Sequence, residues 1–282
     1  MGDCPAVGRD QEETAMNWAN ALRVELARRA RAWAAKQDLP SYQSLGAEPT
    51  ILFEKSPDGL LHGNFHPDSW KAIRSNPDWE RRLTKPHSQR VALPEERRAT
   101  AKELDSSNSS DALLMNCFCF PGVNSSVLGD SVPGLSRPVF GFPAGLRLTG
   151  DTVDATEVDM HVGGVIVEAK LTEADFTARP EAHVLRYTDL GSCFDVSSLP
   201  RKADSILSYQ LIRNVLAAAQ HSMHLVVLID ARRPDLLQEW WRVYASISDV
   251  SLRLRCGFRT WQQVAAETPP DLRRFLQEKY GL

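Results

Sequence analysis

Thr156-Glu-Val-Asp-Met-His-Val-Gly-Gly-Val-Ile-Val-Glu-Ala-Lys-Leu-Thr-Glu173 is the stretch that decides the fold of this 282-residue chain. Both arms are rich in β-branched residues and alternate with period two, and Gly163-Gly164 between them supplies the positive φ angles of a two-residue hairpin turn. Counting outward from those glycines sets Val162 opposite Val165, Asp159 opposite Glu168 and Glu157 opposite Lys170. Val165, Val167, Ala169 and Leu171 then share one face of the second arm, and Glu168 and Lys170 share the other.

Like charges directly opposite one another destabilise a sheet, so Asp159 and Glu168 call for a compensating cation. Mg2+, with Mn2+ as a substitute, takes oxygen ligands and is usually held by one or two carboxylates plus substrate phosphates. Asp159 and Glu168 are therefore candidate metal ligands, with the carbonyl of Ala169 completing the expected shell. The ammonium of Lys170 is placed to orient or help deprotonate an attacking water and to offset charge building on phosphorus. The competing reading of the same residues is a solvated edge hairpin in which Glu157 and Lys170 form a surface pair worth under about 1 kcal/mol.

Asp159, Glu168-Ala-Lys170 and the later Tyr209-Gln-Leu-Ile-Arg-Asn214 resemble the PD-(D/E)xK, restriction-endonuclease-like nuclease superfamily, over roughly residues 100 to 265. Ser109-Ser-Asp-Ala-Leu-Leu-Met-Asn116 and the Leu171-Thr-Glu173 tail are similar to one branch of its restriction endonucleases. The resemblance implies metal binding by Asp159 and Glu168, a catalytic Lys170, and a catalytic Gln210 that holds a metal-bound water. Val158 stands where the superfamily's name has a proline. Arg213 shares a helical face with Gln210 and suits a phosphate, because guanidinium forks match phosphate oxygens. Glu157, Glu173 and Asn116 are candidate supporting residues. DNA is the partner the resemblance implies. Two other readings stay open: an RNA-directed nuclease, and a non-catalytic nucleic-acid-binding or assembly module on the same fold.

The expected architecture is α/β: an α/β/α layered core with a mixed central sheet, over residues 100–282, preceded by a helical and irregular appendage over 1–99. The hairpin and the apolar run His224-Leu-Val-Val-Leu-Ile229 supply the sheet, the latter reading as a central strand covered on both faces. Helices are expected near 109–118, 203–221 and 234, a half-buried edge strand at Ser251–Arg255, and a helix from Arg259. Residues 121–145, rich in Pro, Gly and Ser, read as a long recognition loop. In the appendage, a helix from Gln11 to Lys36 carries Trp18, Leu22, Leu26 and Trp33 as its stripe. Prolines then punctuate 38–98, where His62-Gly-Asn-Phe-His66 reads as a turn with exposed imidazoles rather than a zinc site.

With 43% hydrophobic and 24% charged residues the chain is an ordinary globular protein, and its net charge of -3 says nothing for nucleic acid by itself. Basic residues do concentrate locally, and Arg81, Arg82 and Lys85 are the candidate nucleic-acid contacts. No run reaches the length of a membrane span and the first residues lack the features of a secretory signal, which points to the cytoplasm. Five cysteines leave an odd one and form no CxxC pair, so reduced thiols are expected. A homodimer is compatible with all of this.

Overall fold

The computed structural model describes residues 17–129 and 136–282. Gln11–Met16 of the expected first helix, Cys4, and residues 130–135 of the expected loop lie outside the described residues.

A five-stranded mixed sheet organises the chain, formed by β1 (Val139–Pro143), β2 (Glu157–Val162), β3 (Val165–Ala169), β4 (His224–Ile229) and β5 (Cys256–Thr260). The strands lie side by side in chain order. β1, β2 and β3 pair antiparallel, whereas β4 runs parallel to both β3 and β5. The antiparallel half needs only tight connections, and the parallel half needs helical crossovers. Gly163 and Gly164 have φ of 55° and 83°, as a hairpin turn with two left-handed residues demands, and Val162 pairs with Val165 as counted.

Helices cover both faces. On one side lie α1 (Trp18–Gln37), α4 (Ser110–Phe118), α8 (Trp261–Ala266) and α9 (Pro270–Tyr280), after the short α2 (Pro67–Arg74) and α3 (Pro77–Arg82). On the other lie α5 (Tyr209–Gln220), α6 (Pro234–Ser246) and the short α7 (Val250–Leu254). The alternation of β3 divides between them. Val165, Val167 and Ala169 pack with Leu22, Leu26, Leu113 and Leu276, while Ile166 packs with Leu211, Val215 and Trp240. Leu171 continues the apolar face, as the alternation predicts. This is the layered α/β/α arrangement expected for the class.

Several expected elements shift, each for a local reason. Ser251–Arg255 is not a strand: Asp249 caps a helical turn by accepting from the Leu252 amide at 3.1 Å, which buries Leu252 and leaves Leu254 80% exposed. The edge strand follows it, at Cys256–Thr260. The helix expected from Ala203 starts only at Tyr209, because Ala203 and Ser208 adopt positive φ and Ser205–Ile206 pairs with Arg179–Pro180 and Arg201–Lys202. Inside the expected loop, residues 139–143 form β1, an edge strand that tolerates Pro143 at its end. Trp18 is 37% exposed and does not join the stripe of α1.

The imidazoles of His62 and His66 are not exposed. His62 is buried, with Nε2 3.2 Å from Asp105 Oδ1 and Nδ1 accepting from the Asn64 amide. His66 caps α2 by accepting from the Asp68 amide. Cys117, Cys119, Cys193 and Cys256 are buried free thiols. Among the described residues no helix is long and apolar enough to cross a membrane.

Candidate active site

The acids and the lysine meet where the hairpin ladder opens. β2 and β3 pair as far as Met160↔Val167. Beyond that point the Ala169 amide donates to Asp159 Oδ2 at 2.8 Å instead of to a strand carbonyl. A residue's N–H and C=O point to the same side of an extended strand, so the Ala169 carbonyl is turned toward the Asp159 side as well. β2 itself changes face here. Val158 packs with Ile166 and α5 whereas Met160 and Val162 pack in the opposite core, although residues two apart in a regular strand share a face. Gly141 of β1, with φ 65°, falls between the paired Phe140↔Met160 and Phe142↔Val158, level with Asp159.

Glu168 and Lys170 are nearly sealed, at 1% and 5% exposure. Lys170 Nζ lies 3.1 Å from Glu168 Oε1 and donates to Gln210 Oε1 at 2.9 Å, while Glu168 Oε2 accepts from Asn214 Nδ2 at 2.6 Å. The helical spacing of Gln210 and Asn214 puts both amides over the two charged residues from α5. Burial alone would favour the neutral amine. The negative charges of Glu168, Glu173 and Asp159 outweigh it and hold the Lys170 pKa above its usual value, so Lys170 stands as an ammonium and not as a free base. Asp159 goes the other way. Burial, then the neighbouring charges of Glu168 and Asp111, push its carboxyl well above the usual range, with Lys170 and the Ala169 amide only partly offsetting them.

The remaining candidates divide. Glu173 is close by: it accepts from Ser110 Oγ at 2.6 Å and from the Leu171 amide at 2.7 Å, and its charge is felt at Lys170. Arg213 donates to the Glu157 carbonyl at 3.0 Å and to Asn214 Oδ1, so it braces β2 and the amide that holds Glu168. Asn116 is fully buried, with its amide spent on the carbonyls of Asn64 and Ala112 and on the His66 amide, so it joins α4 to the 64–66 segment. Glu157 does not pair with Lys170. It accepts from Arg82 at 2.8 Å. Arg81 pairs within its own helix with Asp78, both side chains largely exposed.

Asp111, Asn214 and Arg233 are the residues that sequence reasoning left without a role. Asp111 lies in the first turn of α4, two residues after the Ser109 cap, and receives Arg82 and Lys85 at 3.2 and 2.8 Å. Asn214 was legible as the residue one turn after Gln210. Arg233 has no motif to announce it. Wholly buried, it donates to the carbonyls of Leu171, Glu173 and Ala174 and pairs with Asp235, while Trp261 Nε1 donates to the Lys170 carbonyl at 2.9 Å. Together these bonds fix the backbone that leaves the site. Arg233→Leu is expected to strand three carbonyls and cost about 2–5 kcal/mol. The melting temperature should fall by on the order of 5–15 °C; a change under about 2 °C would show that the segment is held by other means.

The donors fit a hard divalent cation. Two carboxylates gather beside a main-chain carbonyl, Glu168 Oε1 makes no well-formed hydrogen bond besides its ion contact with Lys170, and the repulsion at Asp159 is only partly offset. Among the described residues no group of three or more His, Cys, Asp or Glu side chains is placed to hold a metal ion. Mg2+ does not require one, since it keeps waters and takes substrate phosphate oxygens.

A mixed sheet between helical layers, with an acidic hairpin and a lysine at its opening, belongs to the restriction-endonuclease-like class of folds. The chain belongs to the family described as Restriction Endonuclease associating with ARP, whose family model matches residues 28–281. No curated protein and no solved structure matches it. Membership in a restriction-endonuclease family suggests a nuclease, with nucleic acid as partner.

Proposed function

We propose that the chain is a divalent-metal-dependent nuclease that hydrolyses phosphodiester bonds, with DNA as its substrate and Mg2+ as its metal. The observation that carries this reading is the convergence of Asp159, Glu168 and Lys170 at one opening of the sheet, with Lys170 held between Glu168 and Gln210. Asp159, Glu168 and the Ala169 carbonyl would hold the metal, which supplies Lewis acidity and positive charge to the phosphate. Lys170 orients or helps deprotonate the attacking water and offsets negative charge on phosphorus. Gln210 aims Lys170 through its amide oxygen and so acts as a positioning residue. Asn214 does the same for Glu168.

The test is a crystal soaked with Mn2+, using anomalous scattering to locate the ion. The reading expects a Mn2+ peak within ligand distance of Asp159 and Glu168. Crystals that take up Mn2+ elsewhere, or none at all, would return the chain to the non-catalytic binding module.

A further inference from the structure

Arg82 and Lys85 were candidates for nucleic-acid contacts, yet both pair with acids of the chain itself. Arg82, the last residue of α3, bridges Glu157 on β2 at 2.8 Å and Asp111 on α4 at 3.2 Å. Lys85 adds a second cation on the same Asp111 oxygen at 2.8 Å. The arginine side chain is only 13% exposed and that of Asp111 only 10%. The charge of Asp159 also acts on the guanidinium.

The seat is shaped for this group. Gly141 stands level with Asp159, and a Cβ there would collide with Arg82 Nη1 and Glu157 Oε2, so a side chain at 141 and a guanidinium in this position exclude each other. The fit is nonetheless incomplete: Arg82 Nε is buried without a hydrogen-bond partner. An arginine held by two carboxylates, with one N–H unused, is well suited to exchange partners. Phosphate offers two oxygens that the planar guanidinium fork can engage bidentately.

We propose that Arg82 is a latch: in the free protein it neutralises the acids around Asp159 in competition with the metal, and a nucleic-acid phosphate draws it away and opens the site to the metal. The latch rests on the metal-site reading given above. It makes metal and nucleic acid bind cooperatively, and the coupling is reciprocal. Metal alone meets a site already supplied with positive charge by Arg82 and Lys85. Nucleic acid alone meets an arginine still shared with Glu157 and Asp111. Each ligand lowers the cost of admitting the other.

The experiment is calorimetric Mn2+ titration of the wild type, Arg82→Lys, Arg82→Gln and Asp159→Asn, with circular dichroism and melting curves to show that each variant is folded. Arg82→Lys keeps the charge and removes the fork that spans two acids. Without nucleic acid it should bind Mn2+ more tightly than the wild type by about fivefold, and Arg82→Gln should do so by more. In a Lys170→Met background, which prevents cleavage, a short DNA duplex should raise Mn2+ affinity by a comparable factor, and adding Arg82→Lys should remove most of that gain. Should the Arg82 variants not fold, Lys85→Gln carries the same expectation at about twofold, since its side chain is 42% exposed and it relieves the same Asp111 oxygen.

Mn2+ binding that Asp159→Asn abolishes but the Arg82 and Lys85 variants leave unchanged would overturn the latch alone. A DNA-induced gain in Mn2+ affinity that persists in full with Arg82→Lys would also overturn it, because the fork would then play no part in the exchange. Mn2+ binding absent from the wild type and every variant would overturn the metal-site reading, and the latch with it.

Discussion

Lys170→Met is expected to lower Mg2+-dependent DNA cleavage by about 10²–10⁴-fold while leaving DNA affinity within about threefold. The side chain is 7% exposed, its ammonium lies 3.1 Å from Glu168, and Gln210 holds it from α5. Methionine keeps most of the apolar stem against Phe176, whose ring the ammonium now approaches at 5.5 Å. What the substitution removes is a positive charge aimed where negative charge develops, an interaction that belongs to the transition state. Single-turnover cleavage and equilibrium DNA binding, measured on the same preparations, separate the two quantities. A parallel loss of both would place Lys170 in binding or in folding.

Asp159→Asn is expected to weaken Mn2+ binding by on the order of 10–100-fold or more, and cleavage with it. The amide retains an oxygen for the Ala169 N–H that Asp159 now accepts. It also removes the like-charge repulsion with Glu168 and Asp111 that the half-buried carboxylate suffers. The metal-free variant should therefore melt no lower than the wild type, which separates loss of a ligand from loss of the fold. Calorimetry reads the first and a thermal melt the second. A variant that melts lower yet binds Mn2+ normally would make Asp159 a structural residue.

The sheet was readable where one local rule governs. The Gly163-Gly164 turn, the register at Val162 and Val165, and the apolar face of β3 all follow from strand periodicity, and the structure has them. Near the site the periodic rule stops. Extrapolated register places Asp159 opposite Glu168, but β2 changes face across Asp159, and the carboxylate takes a backbone N–H that the ladder would have used. Nothing in a run of alternating residues marks that departure, although Gly141 with its positive φ lies level with it.

Long-range partners were harder still. Glu157 was counted opposite Lys170, yet Arg82, 75 residues earlier in the chain, reaches it first. Arg233 secures the segment after Lys170 from 60 and more residues away, through backbone carbonyls that leave no pattern in sequence. The basic cluster at Arg81, Arg82 and Lys85 was visible as composition. Its division into an exposed Arg81 and an inward Arg82 depends on the packing of α3 against β1 and α4.

The most direct measurement of the central claim is hydrolysis itself. Purified wild-type protein is incubated with plasmid and linear DNA in Mg2+, in Mn2+, and in EDTA, and products are resolved by gel beside those of Lys170→Met and Asp159→Asn. The account predicts DNA fragments with either metal, none in EDTA, and a loss of about two or more orders of magnitude in Lys170→Met and about one or more in Asp159→Asn. Cleavage that persists in EDTA, or that both variants retain at wild-type rates, would contradict it.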